Sequence, residues 1–357
     1  MRIVFDVSPL SHPLLGIGNY IQGSLAGLAE ASAGEHDLVA FAPTSIRGPE
    51  RIRAALAGID VELRTWPLPF SHALRTAWSG AGRPAAERLL GDFDVLHFSD
   101  WMFPPQRAGV RATTIHDLVP LHHPEWTTGR TRAMHGRKYR NAGATCDLVF
   151  VNSAYTGRDV AKTLGVSEDR IHVAHPAPKD VYRPDGPAAD LGAPFVLTVA
   201  TLEPRKNLQV LVEAHRLLGD DLELAVVGAE GWGEQPLLGG AGIRRLGYVS
   251  DEELARLYRG ASAVAYPSRF EGFGIPVIEA MACGVPVVVS SHESLDEASG
   301  DAALRADPDD ARAFAVALER AVADRERLVT LGLEHVRGFS WRSVGETFLR
   351  AYGEARR

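Results

Sequence analysis

The feature that most constrains the fold is an alternation of short β-rich runs with longer segments of helical periodicity, which occurs once in each half of the chain. Strands that alternate with helices form βαβ units, and these units build parallel sheets with helices on both faces. In the first half the predicted strands are RIVFDV, DLVAFA, DVLHF, ATTIHD, DLVFVNS and RIHVAH. In the second half they are FVLTVAT, LELAVVG, IRRLGYV, AVAYPS and VPVVVS. The sequence therefore predicts an α/β protein with two Rossmann-like sheets.

A segment rich in proline and glycine, HPAPKDVYRPDGPAADLGAP, separates the two halves and is the predicted linker. A chain of 357 residues is too long for one typical hydrophobic core and fits two domains. We place the first domain at 1–185 and the second at 186–340.

Composition disfavours several classes of function. With 45% hydrophobic and 23% charged residues, the chain is typical of soluble globular proteins, and its net charge of −7 disfavours nucleic acid as a main partner. No apolar run is long enough to span a bilayer and the chain begins as a strand, so we expect a cytoplasmic protein. Cys146 and Cys283 are predicted to be buried thiols, with neither a disulfide framework nor a zinc site.

The segment PSRFEGFGIPVIEAMACG carries the clearest functional pattern, with Glu271 and Glu279 on either side of Gly272, Gly274 and Pro276. The glycines allow close backbone approach to a ligand, and proline fits the first position of a helix that should end near residue 283. Glu271 then lies in a loop and Glu279 in the first helical turn. Helix amides bind phosphate and carboxylates bind sugar hydroxyls, which indicates a nucleotide sugar.

Other polar residues follow predicted strands, where ligands of open α/β sheets bind. Arg205 and Lys206 lie in TLEPRKNL, with Asn207 as a predicted helix cap, and could neutralise a diphosphate; the alternative is an ordinary basic loop. His116 follows another strand. His116, His122 and His123 together could suggest a metal site. We disfavour this interpretation because no cysteine or paired carboxylate stands at ligand spacing from them.

The sequence also contains two Asp-x-Asp pairs and a glycine pair. Asp92 with Asp94, and Asp307 with Asp309, are interpreted as turn and cap residues, so no obligatory metal or other cofactor is expected. The glycine pair is Gly16 and Gly18 in LLGIGNY, directly before a helix predicted from Asn19, and alone it is more typical of a turn.

The strings around Glu271 and in EPRKN resemble the signatures of family 4 retaining glycosyltransferases. The resemblance covers nearly the entire chain and implies the GT-B fold, in which two Rossmann-like domains face a central cleft. It also implies that the final helix, at 341–357, packs back on the first domain.

The resemblance implies a role for each candidate residue. The expected catalytic residues are His116, Arg205, Lys206 and Glu271. The expected donor-binding residues are Gly16, Gly18, Asp117, Tyr248, Val249, Gly272, Phe273, Gly274, Ile275 and Glu279. In the family, the first glutamate contacts the transferred sugar, the second binds ribose, and the loop at 247–249, followed by a capping box of Ser250 and Glu253, contacts the base.

The expected function is metal-independent, retaining transfer of a hexose from a nucleotide diphosphate sugar to a glycan, lipid-linked or small-molecule acceptor. TIHDLVPLHHPEW, EPRKN and GAEGW most resemble the mannosyltransferase-like branch, which makes GDP-mannose the first donor to test. The alternatives are a nucleotide-sugar epimerase or hydrolase on the same fold and a non-catalytic nucleotide-sugar-binding protein.

Two segments of the first half have open interpretations. The basic stretch WTTGRTRAMHGRKYR is either a solvated helix face or a peripheral contact with an anionic membrane or a phosphate-bearing acceptor. Trp66, Phe70 and Trp78, in a predicted loop, are either an acceptor lip or ordinary packing.

Overall fold

The computed structural model describes residues 1–98, 101–219, 222–231 and 239–356. Two compact units divide the chain: Met1–Pro176 with Ser340–Arg357, and Ala177–Phe339. The second unit therefore begins before the boundary at 185 that the linker composition suggested. The reason is local bonding, because the Lys179 ammonium lies 2.7 Å from the Asp251 carboxylate and the Tyr182 hydroxyl donates to it at 2.9 Å. Composition marks a linker but not the unit on which it packs.

The described part of the first unit contains a seven-stranded sheet in the order β3-β2-β1-β4-β5-β6-β7, with every pair parallel. Its strands are β1 Arg2–Asp6, β2 Asp37–Thr44, β3 Glu62–Pro67, β4 Val95–Phe98, β5 Val110–Ile115, β6 Leu148–Val151 and β7 Ile171–Val173. Its first helices are α1 Gly16–Ser32, α2 Gly48–Ala55, α3 Ser71–Ala81, α4 Glu87–Leu90, α5 Val119–His122, α6 Gly129–Thr145 and α7 Ala154–Leu164.

The second unit has, in its described residues, a six-stranded parallel sheet in the order β10-β9-β8-β11-β12-β13. Its strands are β8 Phe195–Val199, β9 Glu223–Val227, β10 Ile243–Gly247, β11 Ala263–Tyr266, β12 Val287–Ser290 and β13 Ala303–Ala306. Its helices are α8 Leu208–Leu218, α9 Asp251–Gly260, α10 Ile275–Ala282, α11 Asp296–Ser299, α12 Ala311–Ala323 and α13 Arg325–Val336. The last helix, α14 Trp341–Ala355, lies in the first unit.

Each predicted strand is present, but the sequence interpretation missed β3 and β13. Both are edge strands, each paired on one side only. β3 is half-exposed along its length and carries Glu62 and Arg64, and β13 has the sequence ALRA without a β-branched residue. An edge strand needs no continuous apolar run, so the hydrophobic signal that marks central strands is absent there.

Close packing of backbone against backbone joins α14 to α1. A Cβ atom built on Gly27 would lie 1.8 Å from the Trp341 carbonyl oxygen, and one on Gly345 would lie 2.1 Å from the Gly27 carbonyl oxygen. The apolar face of α14 completes the hydrophobic core around β1 and β6 with Val344, Phe348, Ala351 and Tyr352. Tyr352 also bonds through its hydroxyl to His97 Nδ1 at 2.5 Å.

We expect Gly345→Ala to lower the free energy of unfolding by about 2 kcal/mol, because the new methyl group meets a backbone carbonyl and forces two helices apart. The matched control is Gly353→Ala on the same helix, where a Cβ meets nothing within 4 Å and removal of a helical glycine stabilises by about 0.5 to 1 kcal/mol. Urea unfolding of both variants measures the difference. Equal stability would contradict the tight helix contact.

Candidate functional site

The loops that follow β8 and β11 bring two predicted cations and one predicted carboxylate into direct contact. Glu271 accepts from Lys206 Nζ at 2.6 Å through one oxygen and from Arg205 Nη1 at 2.7 Å through the other. Tyr266 OH lies 2.8 Å from Lys206 Nζ and donates to Glu271 at 3.0 Å, while Glu203 accepts from Arg205 Nη2 at 2.6 Å. We call these five residues the ion-pair cluster. It lies at the carboxyl edge of the second sheet.

The cluster is held by bonds between neighbouring loops. The backbone amide of Arg269 donates to the Arg205 carbonyl at 2.9 Å, which ties the β11 loop to the β8 loop. Asn207 has a φ of 53°, and its side-chain amide donates to the carbonyls of Pro267 and Pro308. Asn207 is the N-cap residue of α8, as predicted, but its side-chain amide joins three loops and makes no capping bond.

The cluster keeps Glu271 ionised although its side chain is buried. Burial by itself would raise the pKa of Glu271, but the charges of Arg205 and Lys206 outweigh it and lower the pKa from 4.5 to about 2. Burial lowers the pKa of Lys206, and Glu271 and Glu203 oppose that change. Two carboxylates against two cations leave the cluster with a formal charge of zero.

Sequence reasoning missed Glu203 and Tyr266, which complete the cluster. Glu203 is buried and accepts from both Nε and Nη2 of Arg205, so it fixes the plane of the guanidinium group. The signal was present, since Glu203 is the first residue of the EPRKN string, and Tyr266 is the last residue of β11.

The loop from Glu271 leads into α10, whose first residue is Ile275 and whose N-cap, Gly274, has a φ of 104°. A Cβ at Gly274 would also lie 2.8 Å from Leu295 Cδ2, so glycine is required there. Phe273 was expected to bind the donor, but its ring is buried in the core. Ile275 is partly buried against the same core. Gly272 lies in the loop between Glu271 and α10.

Glu279 lies in the second turn of α10 rather than in the predicted first turn, because the helix begins at Ile275. It is buried, and Tyr258 OH donates to its carboxylate at 3.2 Å. Burial, together with the negative charge of Asp251, raises the pKa of Glu279 from 4.5 to about 7. This glutamate is separate from the ion-pair cluster in its bonding and its charge state.

The predicted base loop precedes α9. Tyr248 is exposed and Val249 is partly buried against the core, while Gly247 has a φ of 70°. Ser250 caps α9 by accepting from the Glu253 amide, as predicted; the Glu253 carboxylate bonds to Arg256. Trp232 of the GAEGW string lies outside the described residues.

In the first unit, His116 follows β5 and is largely enclosed. Its Nδ1 lies 3.3 Å from the Asn152 side-chain oxygen, and its Nε2 is buried with no hydrogen-bond partner among the described residues. The Tyr20 ring packs edge-on against it. Burial and the positive charge of Lys138 lower the pKa of His116 to about 3, so the ring is neutral. A neutral imidazole with one unsatisfied nitrogen is suited to a hydroxyl ligand.

The other predicted polar residues of this unit have local structural bonds. The Asp117 carboxylate, expected to bind the donor, accepts from the Val119 amide at 3.0 Å, which shapes the turn into α5. His122 pairs with Asp159, and His123 with Glu125. Asp94 accepts from the Arg2 amide, Asp309 pairs with Arg269, and Asp310 caps α12. No group of three or more metal-ligating side chains occurs in the described ranges.

The two glycines of LLGIGNY lie inside α1, which begins at Gly16 rather than after Gly18. The space beside Gly16 is open, whereas a Cβ on Gly18 would lie 3.1 Å from the Leu14 side chain. Neither glycine has a positive φ. Open space at the first helical residue leaves the backbone accessible to a ligand.

Three further expectations concern the helices and thiols of the chain. The basic stretch forms α6, but Lys138 is buried and donates to the Thr114 carbonyl at 2.7 Å, so it is not part of a solvated face. Trp66 lies in β3 and Trp78 is buried in α3, so these aromatics do not share a loop. Cys146 and Cys283 are free and buried, as predicted.

None of the helices in the described part of the chain has the length and apolarity needed to cross a membrane.

Comparison with known proteins identifies the chain. The profile for glycosyl transferases group 1 matches residues 184–332, and that for glycosyltransferase family 4 matches residues 16–177. The O-antigen chain mannosyltransferase B of Escherichia coli is 31% identical over 393 aligned residues, which cover 99% of this chain and 99% of that protein. The chain belongs to glycosyltransferase family 4. The ion-pair cluster of this glycosyltransferase lies within the group 1 match, and His116 lies within the family 4 match.

Solved structures agree on the fold of the glycosyltransferase. Sucrose-phosphate synthase from Thermosynechococcus elongatus superimposes with a TM-score of 0.73 at 20% identity, covering 99% of this chain and 98% of that one. HepE of Anabaena, solved in complex with UDP and glucose, gives a TM-score of 0.70 at 15% identity, covering 99% and 100%. The glycosyltransferase thus has the GT-B fold.

Proposed function

We propose that this glycosyltransferase transfers mannose from GDP-mannose to a hydroxyl of a glycan acceptor, with retention of configuration and without a metal ion. The observation that carries the proposal is the contact of Arg205 and Lys206 with one carboxylate at the carboxyl edge of the second sheet. Two fixed cations there can stabilise the charge that grows on a leaving diphosphate. The choice of mannose rests on the E. coli mannosyltransferase, and a nucleotide donor is supported by the UDP and glucose bound to HepE.

The reaction exchanges one bond at the anomeric carbon for another and transfers one proton. The acceptor hydroxyl oxygen bonds to the anomeric carbon of mannose while the bond from that carbon to the diphosphate oxygen breaks. The hydroxyl proton passes to the departing diphosphate, so no protein nucleophile is required. In the proposal, His116 bonds to a sugar hydroxyl through its unsatisfied Nε2, and catalysis consists of positioning and charge stabilisation.

The zero net charge of the ion-pair cluster adds a step to donor binding. A diphosphate cannot approach Arg205 and Lys206 favourably while Glu203 and Glu271 balance their two positive charges, because the new anion would face a buried carboxylate. We therefore expect the donor phosphates to take the place of Glu271 on the cations. The released carboxylate then accepts hydrogen bonds from the sugar hydroxyls, which couples diphosphate binding to sugar binding.

A thermal-shift panel of GDP, UDP and dTDP, each free and as its sugar conjugate, tests the donor. We expect GDP-mannose to give the largest rise in melting temperature, because a ligand at about 1,000 times its Kd stabilises the folded state by about 4 kcal/mol. A larger shift with a UDP or dTDP sugar would replace the proposed donor. The anomeric configuration of the product, read by NMR, tests retention, and EDTA should leave the rate unchanged.

A further inference from the structure

His116 and Asn152 lie side by side at the carboxyl edge of the first sheet. Ile115 and Val151 are register partners in the parallel pair of β5 and β6, so the residues that follow them, His116 and Asn152, fall at the same level. Asn152 is buried. Its side-chain oxygen lies 3.3 Å from His116 Nδ1 and its side-chain nitrogen 3.2 Å from the same atom.

The bonding of the two ring nitrogens indicates which of them carries the proton. In a neutral imidazole this is set by the hydrogen bond that each nitrogen makes. His116 Nε2 is buried with no partner among the described residues, so a proton there would be an unpaired donor in the free protein. An unpaired acceptor is the less costly case. The favoured tautomer therefore has Nδ1–H donating to Asn152 Oδ1 and leaves Nε2 as an acceptor.

The Tyr20 ring restrains the imidazole but leaves its nitrogens to other partners. The two ring centroids are 5.1 Å apart and the ring planes are nearly perpendicular, at 82°. The Tyr20 side chain is buried, and its hydroxyl donates to the Ala174 carbonyl at 3.1 Å. Within the part of the chain that the structure describes, Asn152 is therefore the side chain that bonds to His116.

The positive charges near His116 oppose its protonation. Burial and the charge of Lys138, on α6, lower the pKa of His116 from 6.5 to about 3, and His135 on the same helix acts in the same direction. The bond to Asn152 has the opposite effect on the pKa but does not outweigh them. The ring therefore stays neutral, and Nε2 keeps its lone pair, at any pH near neutrality.

Neighbouring titratable groups on the other elements do not change this charge state. The Asp117 carboxylate accepts from the Val119 amide. His97, on β4, is neutral because burial holds its pKa well below 6.5. A carboxylate at the position of the Asn152 amide would favour the imidazolium form, whereas an amide orients the ring without adding charge.

We propose that Asn152 is a positioning residue, whose amide oxygen accepts from His116 Nδ1–H and so presents Nε2 as an acceptor for a hydroxyl of the donor sugar. The inference rests on the role of His116 in the proposed function. It assigns the direction of that hydrogen bond, since the sugar hydroxyl donates and the histidine accepts. It also explains why protonation of His116 would abolish the contact: an imidazolium has no lone pair.

Two variants of the full chain test the inference, with tautomer and pKa read by NMR of histidine nitrogens and with His116 assigned from the signals that His116→Gln lacks. Asn152→Ala should give a mixture of tautomers and lower kcat about tenfold at pH 8, the loss of one hydrogen bond. Asn152→Asp should keep the proton on Nδ1 and keep kcat at pH 8 within about twofold, because a carboxylate accepts as the amide oxygen does.

The aspartate variant also gives a pH dependence. Its negative charge should raise the pKa of His116 by about two units, to about 5. The ratio of its kcat to that of the wild type should then fall about twofold from pH 8 to pH 5, because half of the histidine has lost its acceptor. Asn141→Ala removes an amide on α6 that bonds to Thr145, and this control should leave the tautomer and kcat unchanged.

Several results would overturn the inference. These are a proton on Nε2 in the wild type, a tautomer that Asn152→Ala leaves unchanged, or a shifted tautomer with unchanged kcat. Should Asn152→Ala fail to fold, as thermal unfolding would show, the aspartate variant carries the test through its pKa and its pH profile. NMR is run without substrate, so an enzyme that transfers no sugar would contradict the proposed function while the tautomer is still measured.

Discussion

Replacing Lys206 by alanine is expected to lower kcat by about a hundredfold or more. The ammonium group lies in the ion-pair cluster and is proposed to contact the departing diphosphate, where a lost transition-state contact costs about 3 kcal/mol. Steady-state rates with the donor identified in the thermal-shift panel measure the effect. Lys162→Ala, which removes an exposed lysine on α7, is the matched control and should keep the wild-type rate.

Because Lys206→Ala leaves Glu271 with one cation fewer in a buried site, its stability must be followed by thermal unfolding. The double variant Lys206→Ala/Glu271→Gln removes one charge of each sign and should recover stability but not turnover. Recovery of turnover in the double variant would contradict the catalytic roles of both Lys206 and Glu271.

Glu271→Gln separates binding from catalysis. Loss of the carboxylate charge leaves the cluster with a net positive charge, so inorganic pyrophosphate should bind about tenfold more tightly while kcat falls about a hundredfold. Calorimetric titration with pyrophosphate measures the first effect. Weaker binding of pyrophosphate by this variant would refute the proposed exchange of carboxylate for phosphate.

Glu279→Gln is expected to stabilise the protein by about 3 kcal/mol at pH 8 and by almost nothing at pH 4. The pKa of Glu279 rises from 4.5 to about 7 on folding. Below pH 4.5 both states hold the proton, and between pH 4.5 and 7 only the folded state does, so wild-type stability falls over this window as pH rises. Glutamine mimics the protonated acid, so the variant does not lose stability over this pH window.

Urea unfolding of Glu279→Gln and the wild type at pH 4, 6 and 8 measures this dependence. Glu252→Gln, which changes an exposed residue of α9, is the control and should show no trend with pH. A stability gain that is the same at each pH would contradict the raised pKa. If Glu279 binds ribose as the family resemblance implies, the same substitution should weaken nucleotide binding about tenfold, so the variant gains stability and loses affinity.

The sequence predicted the strands that have apolar runs and, within the ion-pair cluster, Arg205, Lys206 and Glu271, but it missed Glu203, Tyr266 and the edge strands β3 and β13. Central strands carry apolar runs that are visible in the sequence. The edge strands β3 and β13 pair on one side only and lack such runs, so their sequences resemble those of loops. Arg205, Lys206 and Glu271 could be placed together because residues after parallel strands meet at one edge of a sheet.

What the sequence could not predict depends on side-chain direction and helix register. Lys138 belongs to a run of basic residues, yet it points inward to a backbone carbonyl, and neighbouring residues alone do not reveal this. Glu279 was predicted in the first turn of α10 but lies in the second, because the helix starts at Ile275, one residue before the proline. The positive φ of Asn207 and its contacts with two other loops depend on the assembled sheet.

The place of α14 in the first unit has a consequence for biosynthesis. The interior around β1 and β6 includes Phe348 and Tyr352, so it lacks part of its apolar filling until residues 341–355 have left the ribosome. Residues 177–339, which include Glu271 and Glu279, emerge before α14 and can complete their own core while the core of the first unit is still incomplete. Chains released after the ribosome stalls within that stretch should therefore have an incompletely folded first unit and depend on chaperones.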